Sequence, residues 1–98
     1  MINITWEPNE KGNGEFKARE NDEIIGLMRA HISGKIITVL HTEVDHAHEG
    51  KGIAHKLMDK MLTYARENQL YVVPLCPFVL AEFRKNPALY KDVWTPKK

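Results

Sequence analysis

The sequence is poor in the features that mark several large classes of protein. Its 98 residues include one cysteine, Cys76, so no internal disulfide can form. The formal net charge is only +1, which argues against a nucleic-acid or anionic-membrane partner. No apolar run approaches the roughly 20 residues needed to cross a bilayer. The start, Met1 to Glu7, lacks the basic and apolar regions of a signal peptide. We therefore expect a cytoplasmic protein with no nucleic-acid and no membrane partner.

The composition of the chain indicates one small soluble domain. Apolar residues make up 43% of the chain and charged residues 28%, as in ordinary globular proteins. The sequence contains no repeat and no linker, so residues 1–98 are predicted to form a single domain. We expect this domain to act as a monomer or a weak dimer.

The first half of the chain has the pattern of an antiparallel β-meander. Short segments with alternating or β-rich character are separated by turn-forming Gly, Asn, Asp and Ser residues. Closely spaced hairpins of this kind pair antiparallel. The predicted strands are Ile2–Trp6, Glu15–Arg19, Glu23–Ile32 and Lys35–Val44.

The second half changes to helical spacing. Gly52 to Asn68 carries one apolar stripe and is predicted as a helix. Leu70–Leu75 is continuously apolar, which indicates a buried strand. Because a helix connects it to the fourth strand, the two strands are expected to pair parallel, through a right-handed crossover. Phe78–Lys85 and 87–93 are predicted as helical pieces, and Trp94–Lys98 as a tail. The fold class is therefore α+β, with a mixed, mostly antiparallel sheet and a central helix after the fourth strand.

The glycine loop between the fourth strand and this helix is the strongest functional signal. We use that name for residues 49–54, Glu-Gly-Lys-Gly-Ile-Ala. Glycines allow a backbone to approach an anion closely, and the first amides of a helix favour negative charge. A turn from strand to helix also needs flexible residues, so the glycines alone do not decide between the two explanations. The loop is interpreted as a site for a phosphorylated ligand.

Together with its flanking motifs, the loop resembles the acyl-CoA loop of GNAT acetyltransferases. That loop has the form Gln/Arg-x-x-Gly-x-Gly/Ala, and Gly52 and Ala54 match it while Glu49 departs from it. The closer resemblance is to minimal, YjdJ-type GNAT-like predicted N-acetyltransferases and covers about residues 36–93. The motifs that carry it are His-Thr-Glu-Val at 41–44, Gly-Lys-Gly at 50–52, Ala-Arg at 65–66, Pro-Leu-Cys-Pro-Phe at 74–78 and Asn-Pro-Ala-Leu-Tyr at 86–90.

This resemblance implies a GNAT-like fold and an acetyl-CoA-dependent N-acetyltransferase. The acceptor would be an unidentified amine, either a small molecule or a protein tail. The CoA pyrophosphate would lie on backbone amides of the loop, with the pantetheine arm between the fourth and fifth strands. The residues predicted to bind acetyl-CoA are Val44, Glu49, Gly50, Lys51, Gly52, Ile53, Ala54, His55 and Leu75.

Three residues are candidates for the chemistry. His41 and Glu43 share one face of the fourth strand if no bulge intervenes, and the resemblance implies a general base on that strand. The alternatives are a structural histidine and a solvated carboxylate. Cys76 follows the fifth strand and would accept the acetyl group, line the channel, or simply fill a buried position. Tyr90 resembles the family's Pro-x-x-Tyr tyrosine and is interpreted mainly as a packing residue.

Two other functions remain open at this point. His46 and His48 lie with Asp45 and Glu49 in a polar loop, a composition that also occurs at metal sites. No pair of cysteines or helical His-x-x-x-His supports a metal there, and we predict none. The second alternative is a CoA-binding module or acyl carrier without efficient turnover.

Overall fold

The protein, described by a computed structural model over residues 1–94, forms one five-stranded sheet with two helices. Neighbouring strands are also consecutive in sequence, and only β4 and β5 pair parallel. The predicted α+β class and mixed, mostly antiparallel sheet are confirmed. The elements are β1 (Ile2–Pro8), β2 (Asn13–Glu20), β3 (Glu23–Ser33), β4 (Ile36–Val44), α1 (Ile53–Glu67), β5 (Tyr71–Pro74) and α2 (Pro77–Lys85), with 3-10 helices at His46–His48 and Pro87–Tyr90.

Two extra residues bend the sheet. The β2–β3 register shifts so that Ile25 has no partner, and the β3–β4 register shifts so that Leu40 has none. A β-bulge of this kind bends its strand and redirects the side chains that follow. In β4 the buried positions are Ile37 and Val39 before the bulge, and after it the odd-numbered residues are exposed. The bulge therefore decides which β4 side chains reach solvent near the glycine loop.

The two faces of the sheet differ sharply. One face of the sheet forms the core together with helices α1 and α2, which contact each other through His55 and Glu82. The opposite face, which we call the outer face, carries cross-strand charged side chains such as Glu15, Lys17 and Arg29. The buried core residues are Phe16, Ala18, Ile25, Met28, Ala30, Ile37, Val39, Ile53, Leu57, Met58, Met61, Leu62, Ala65, Leu70, Val72, Cys76, Val79, Phe83, Tyr90 and Val93.

Gly26 lets α1 approach the sheet closely. A Cβ built at this position would lie 3.0 Å from Ile53 Cγ2 and 3.2 Å from the Glu43 carbonyl oxygen. Both contacts are tight, so a larger residue would push the start of α1 away from β3 and β4. Gly26 thereby positions the segment that joins the glycine loop to the helix.

The structure corrects the predicted buried strand at Leu70–Leu75. The strand is shorter, Tyr71–Pro74, and Tyr71 and Leu75 are 46% and 61% exposed. Successive strand residues point to opposite faces, and only Val72 points fully into the core. A continuous apolar run therefore did not mean burial on both faces.

The structure also corrects the start of the predicted tail. Trp94 forms a parallel bridge with Val72, whose amide donates to the Val93 carbonyl oxygen at 2.7 Å. This segment covers part of the free edge of β5. The rest of the predicted tail, residues 95–98, lies outside the described residues. Within residues 1–94, no helix has both the length and the apolar character needed to span a bilayer.

Candidate functional site

The glycine loop adopts a backbone that its glycines require. Gly50 and Gly52 have φ angles of +85° and +76°, a region that other residues enter only with strain. A Cβ built at either position would meet nothing within 4 Å. The glycines are therefore required by backbone conformation, and the space beside them is open to a ligand.

The first turn of α1 presents unpaired amides to this loop. Gly52 is the N-cap residue and provides no side-chain cap, and the first intrahelical bond runs from the Lys56 amide to the Gly52 carbonyl oxygen at 3.1 Å. The amides of Ile53, Ala54 and His55 come before that bond in the chain. Together with the helix dipole, they create a local preference for an anion.

A cavity of about 430 Å³ opens beside these amides, and we call it the loop cavity. Seven of the nine residues predicted to bind acetyl-CoA line it, whereas Lys51 and Leu75 do not. The structure adds two residues outside the predicted binding set, His48 and Phe78. The lining residues are Val44, His48, Glu49, Gly50, Gly52, Ile53, Ala54, His55 and Phe78.

Phe78 belongs to the cavity because α2 begins there. Its ring packs edge-on against the His55 ring, with centroids 5.0 Å apart, and His55 Nε2 lies 3.3 Å from Glu82 Oε2. These contacts hold the first turns of α1 and α2 together. The available signal in the sequence was Pro77, since a proline at the first helical position places the next side chain at the start of a helix.

Strands β4 and β5 separate next to the loop cavity. Their parallel pairing runs from Ile36 opposite Tyr71 to Val39 opposite Pro74. The amides of Leu75 and Cys76 then both donate to the Val39 carbonyl oxygen, at 3.0 and 2.9 Å. Beyond this point no described strand pairs with β4 on its β5 side. We call this wedge the fork, and it leaves one edge of residues 40–44 available to an extended ligand.

His41 and Glu43 lie together on the outer face of β4. Their side chains are 51% and 58% exposed, and His41 Nε2 lies 3.0 Å from Glu43 Oε1. The bulge at Leu40 precedes both residues, so the predicted shared face is present. When Nε2 carries the proton, it donates to the carboxylate and leaves Nδ1 as a proton acceptor.

Cys76 lies at the N-cap of α2 with its side chain inside the protein. The residue is 2% exposed, and its Sγ is 3.2 Å from Thr42 Oγ1. Thr42 lies on β4 between His41 and Glu43, but its side chain points to the opposite face of the sheet. The thiol and the His41–Glu43 pair are therefore separated by the strand itself.

The histidines of the 45–49 loop are paired with carboxylates. His48 lies 3.1 Å from Asp45 Oδ2 through Nδ1 and 3.4 Å from Glu20 Oε1 through Nε2. His46 Nδ1 lies 3.5 Å from Glu49 Oε2. Among the described residues, no group of three or more His, Cys, Asp or Glu side chains could hold a metal ion. The two-sided contact of His48 attaches this loop to the end of β2.

The clearest electrostatic perturbations lie away from this site. Hydrogen bonds from Arg19 and Thr5 lower the pKa of Glu7 to about 2, and the hydrogen bond from Arg66 lowers the pKa of Asp92. The first carboxylate joins β1 to β2, and the second joins the end of α1 to the segment after Tyr90. Both pairs have structural roles.

Comparisons with known proteins place this geometry among acetyltransferases. A family model described as GCN5-related N-acetyl-transferase matches residues 15–93. No match to a curated protein was found. The similarity to solved structures therefore provides the remaining comparison.

Three solved structures illustrate the similarity in fold. A GCN5-like protein from Staphylococcus aureus, a putative N-acetyltransferase, is 23% identical over 100% of this chain and 94% of that one, with a TM-score of 0.69. A ribosomal-protein-alanine N-acetyltransferase from Brucella melitensis biovar Abortus 2308 is 25% identical (91% and 66% covered, TM-score 0.66). A GNAT acetyltransferase from Elizabethkingia anophelis with acetyl-CoA bound is 14% identical (74% and 63% covered, TM-score 0.64). The matches thus span about two thirds of the latter two proteins, and the fold implied by the sequence resemblance is confirmed.

Proposed function

The chain belongs to the GCN5-related N-acetyltransferase family, and we propose that it binds acetyl-CoA and transfers the acetyl group to an amine. The observation that carries this proposal is the position of the loop cavity beside the fork. The loop cavity offers unpaired helix amides to a pyrophosphate, and the fork offers a free strand edge to the extended pantetheine arm. The two meet at Val44, the last residue of β4.

In this proposal the CoA pyrophosphate binds the backbone between Gly50 and His55. The open space beside Gly50 and Gly52 allows the phosphates to approach the main chain closely. Lys51 is exposed next to the cavity and adds a mobile positive charge. Phe78 and Val44 give the arm an apolar wall. Leu75 lies at the mouth of the fork, where its amide donates a hydrogen bond to the Val39 carbonyl oxygen.

In the proposed transfer, the His41–Glu43 pair prepares the amine for attack. Glu43 orients the imidazole of His41, which removes a proton from the incoming ammonium group. The neutral amine attacks the thioester carbonyl carbon, a C–N bond forms and the C–S bond breaks. The CoA thiolate leaves with the bonding electrons, and it takes up the proton that the newly acetylated nitrogen releases. The products are an acetylated amine and CoA.

We propose that Cys76 fills a buried position and that the acetyl group passes directly to the amine. Its thiol is buried against Thr42 on the far side of β4 from His41. A nucleophilic thiolate needs an accessible, electropositive setting. In the described structure the nearest polar partner of this thiol is a neutral hydroxyl.

We further propose that the protein is a cytoplasmic monomer or weak dimer of the YjdJ type. A single free thiol suits a reducing compartment. Support for the subfamily comes from the motifs at residues 74–78 and 86–90. Analytical ultracentrifugation would test the oligomeric state.

The test of the binding site is an amide NMR titration with acetyl-CoA. We expect the largest shifts at Val44, at Gly50, at residues 52–55 and at Phe78, because these line the loop cavity. The groove beside Arg66 and Asp92 at the other end of α1 serves as the internal control. Shifts centred on that groove, or no shifts at saturating ligand, would contradict the proposed site.

A further inference from the structure

A second cavity lies across β4 from the fork, and nothing in the proposed acetyl-CoA site accounts for it. It has a volume of about 390 Å³ and is formed by the start of β3 and the end of β4, with Val44 shared with the loop cavity. This volume is within the range of small-molecule sites. We call it the β3–β4 cavity.

The walls of this cavity combine an apolar floor with negative charge. Ile24 and Leu27 contribute hydrocarbon, and Ile24 is 44% exposed although it is a large aliphatic residue. Glu43 pairs with Leu27 across the strands. The backbone amide of Asp45 donates a hydrogen bond to the Ile25 carbonyl oxygen at 2.7 Å, which fixes the position of Asp45. In the described part of the chain, the lining contains these two carboxylates, one histidine (His46) and no lysine or arginine.

The position of Glu43 connects this cavity to the proposed chemistry. Glu43 lines the cavity, and its carboxylate lies 3.0 Å from His41 Nε2. An ammonium group held there would therefore lie beside the His41 ring, whose Nδ1 is the proposed proton acceptor, and across β4 from the fork. The hydrocarbon attached to that ammonium would extend over Leu27 toward Ile24.

We infer that the β3–β4 cavity is the acceptor site and that it selects a primary ammonium carried at the end of an aliphatic chain. This inference rests on the proposed function and names its substrate class. The carboxylates attract the cation, and the aliphatic floor favours a chain over a bare ammonium. An anionic group at the same place would be repelled by Glu43 and Asp45.

The first test follows amide NMR shifts when n-butylammonium is added to the CoA-bound protein. We expect shifts at Ile24, Leu27, Glu43 and His46. Methylammonium should bind more weakly, by about fourfold for each methylene that the longer chain buries, and butyrate should produce no comparable shifts. Butyrate shifts of equal size, n-butylammonium shifts elsewhere, or none at all would overturn the inference.

The second test uses Ile24→Lys, which places a positive charge in the cavity outside the proposed catalytic pair. We expect kcat/KM for n-butylamine to fall by about tenfold or more, since two like charges would share the site, with the affinity for acetyl-CoA unchanged. The matched control is Leu89→Lys, because Leu89 is 63% exposed on the last 3-10 helix. Equal kcat/KM values for wild type and Ile24→Lys would contradict the inference.

The two proposals fail in different ways. If acetyl-CoA binds at the loop cavity but n-butylammonium leaves the β3–β4 cavity unperturbed, the acceptor assignment is wrong and the proposed function stands. If acetyl-CoA does not bind to folded protein, the proposed function itself is wrong.

Discussion

At the scale of single residues, the decisive feature is how β4 divides its side chains between two faces. His41 and Glu43 point outward and contact each other, whereas Thr42 points inward to Cys76. The bulge at Leu40 sets this division, since the residues before it alternate in the opposite phase. The candidate base and the candidate nucleophile therefore lie on different sides of one strand.

Replacing His41 by alanine should remove the proposed proton acceptor. We expect kcat to fall by about 100-fold, as is typical for loss of a general base, with little change in acetyl-CoA affinity. The matched control is His31→Ala, because His31 lies on the same face and contacts Asn13 at 2.9 Å, away from the fork. Steady-state kinetics over a range of pH would check this, and an unchanged pH–rate profile in His41→Ala would count against the role.

Cys76 should not carry the acetyl group. Because the thiol is buried against Thr42, we expect Cys76→Ala to keep turnover within a few-fold of wild type, with a small loss of thermal stability. Mass spectrometry of protein incubated with acetyl-CoA provides the direct check. An acetyl adduct on Cys76 that disappears when an amine is added would show a two-step transfer instead.

At the scale of elements, the loop between β4 and α1 is predictable from sequence, but its surroundings are not. The glycine spacing predicted a turn that needs flexible residues, and the positive φ angles of Gly50 and Gly52 show that turn; the anion site at the start of α1 stays a prediction. Phe78 and His48 were not in the predicted binding set, because they reach the cavity through tertiary contacts of α2 and the 45–49 loop. Sequence periodicity reports which residues share a face, and it does not report how separate elements meet.

Substituting Gly52 by alanine tests whether the loop backbone contacts a ligand. Gly34 is a matched control, since its φ is +58° and a Cβ there also meets nothing within 4 Å. Both substitutions should reduce stability by about 1 kcal/mol through backbone strain. Only Gly52→Ala should weaken acetyl-CoA binding, by about tenfold for a loss of about 1.4 kcal/mol. Equal affinities for the two variants would argue that the loop is only a turn.

The hairpin of β1 and β2 should show a specific acid sensitivity. Glu7 accepts hydrogen bonds from Arg19 and Thr5, and these lower its pKa from 4.5 to about 2. A carboxyl group whose pKa is lowered in the folded state stabilises the protein when the pH is above the pKa of the same group in the unfolded chain. This stabilisation is lost as the pH falls through the folded-state pKa. We therefore expect the melting temperature of Glu7→Gln to fall less than that of wild type between pH 4.5 and pH 2.

The control for this prediction is Glu10→Gln, at an exposed position of the turn that follows β1. Its melting temperature should follow that of wild type across the same pH range. Parallel melting curves for Glu7→Gln and wild type would show that the Glu7–Arg19 pair contributes nothing measurable at this exposed location.

At the scale of the whole molecule, the topology was predictable and the exposure of one face was not. Turn residues and the change from strand to helix spacing identified every strand and both helices. The Leu70–Leu75 run was assigned to a fully buried strand, and the structure shows Tyr71 and Leu75 exposed. Burial depends on whether another layer covers the sheet, and the local sequence of one strand does not contain that information.

The uncovered outer face has a consequence for how the acceptor would reach the proposed site. Glu43 and the β3–β4 cavity open directly to solvent, so an acceptor would reach them without passing beneath a lid formed by the described residues. Acetyl-CoA would occupy the helix side and the fork, and the acceptor would arrive on the outer face. The two substrates would then lie on opposite faces of the sheet and would meet only at β4.

Calorimetric titration of the purified protein with acetyl-CoA, with CoA as the comparison, tests the central claim most directly. If the loop cavity and the fork hold acetyl-CoA, we expect saturable one-to-one binding, with a dissociation constant in the range of about 1 μM to 1 mM that is common for enzyme substrates. Gly52→Ala should bind more weakly and Gly34→Ala should bind like wild type. No binding of acetyl-CoA to folded wild-type protein across that range would contradict the claim that this chain is an acetyl-CoA-dependent acetyltransferase.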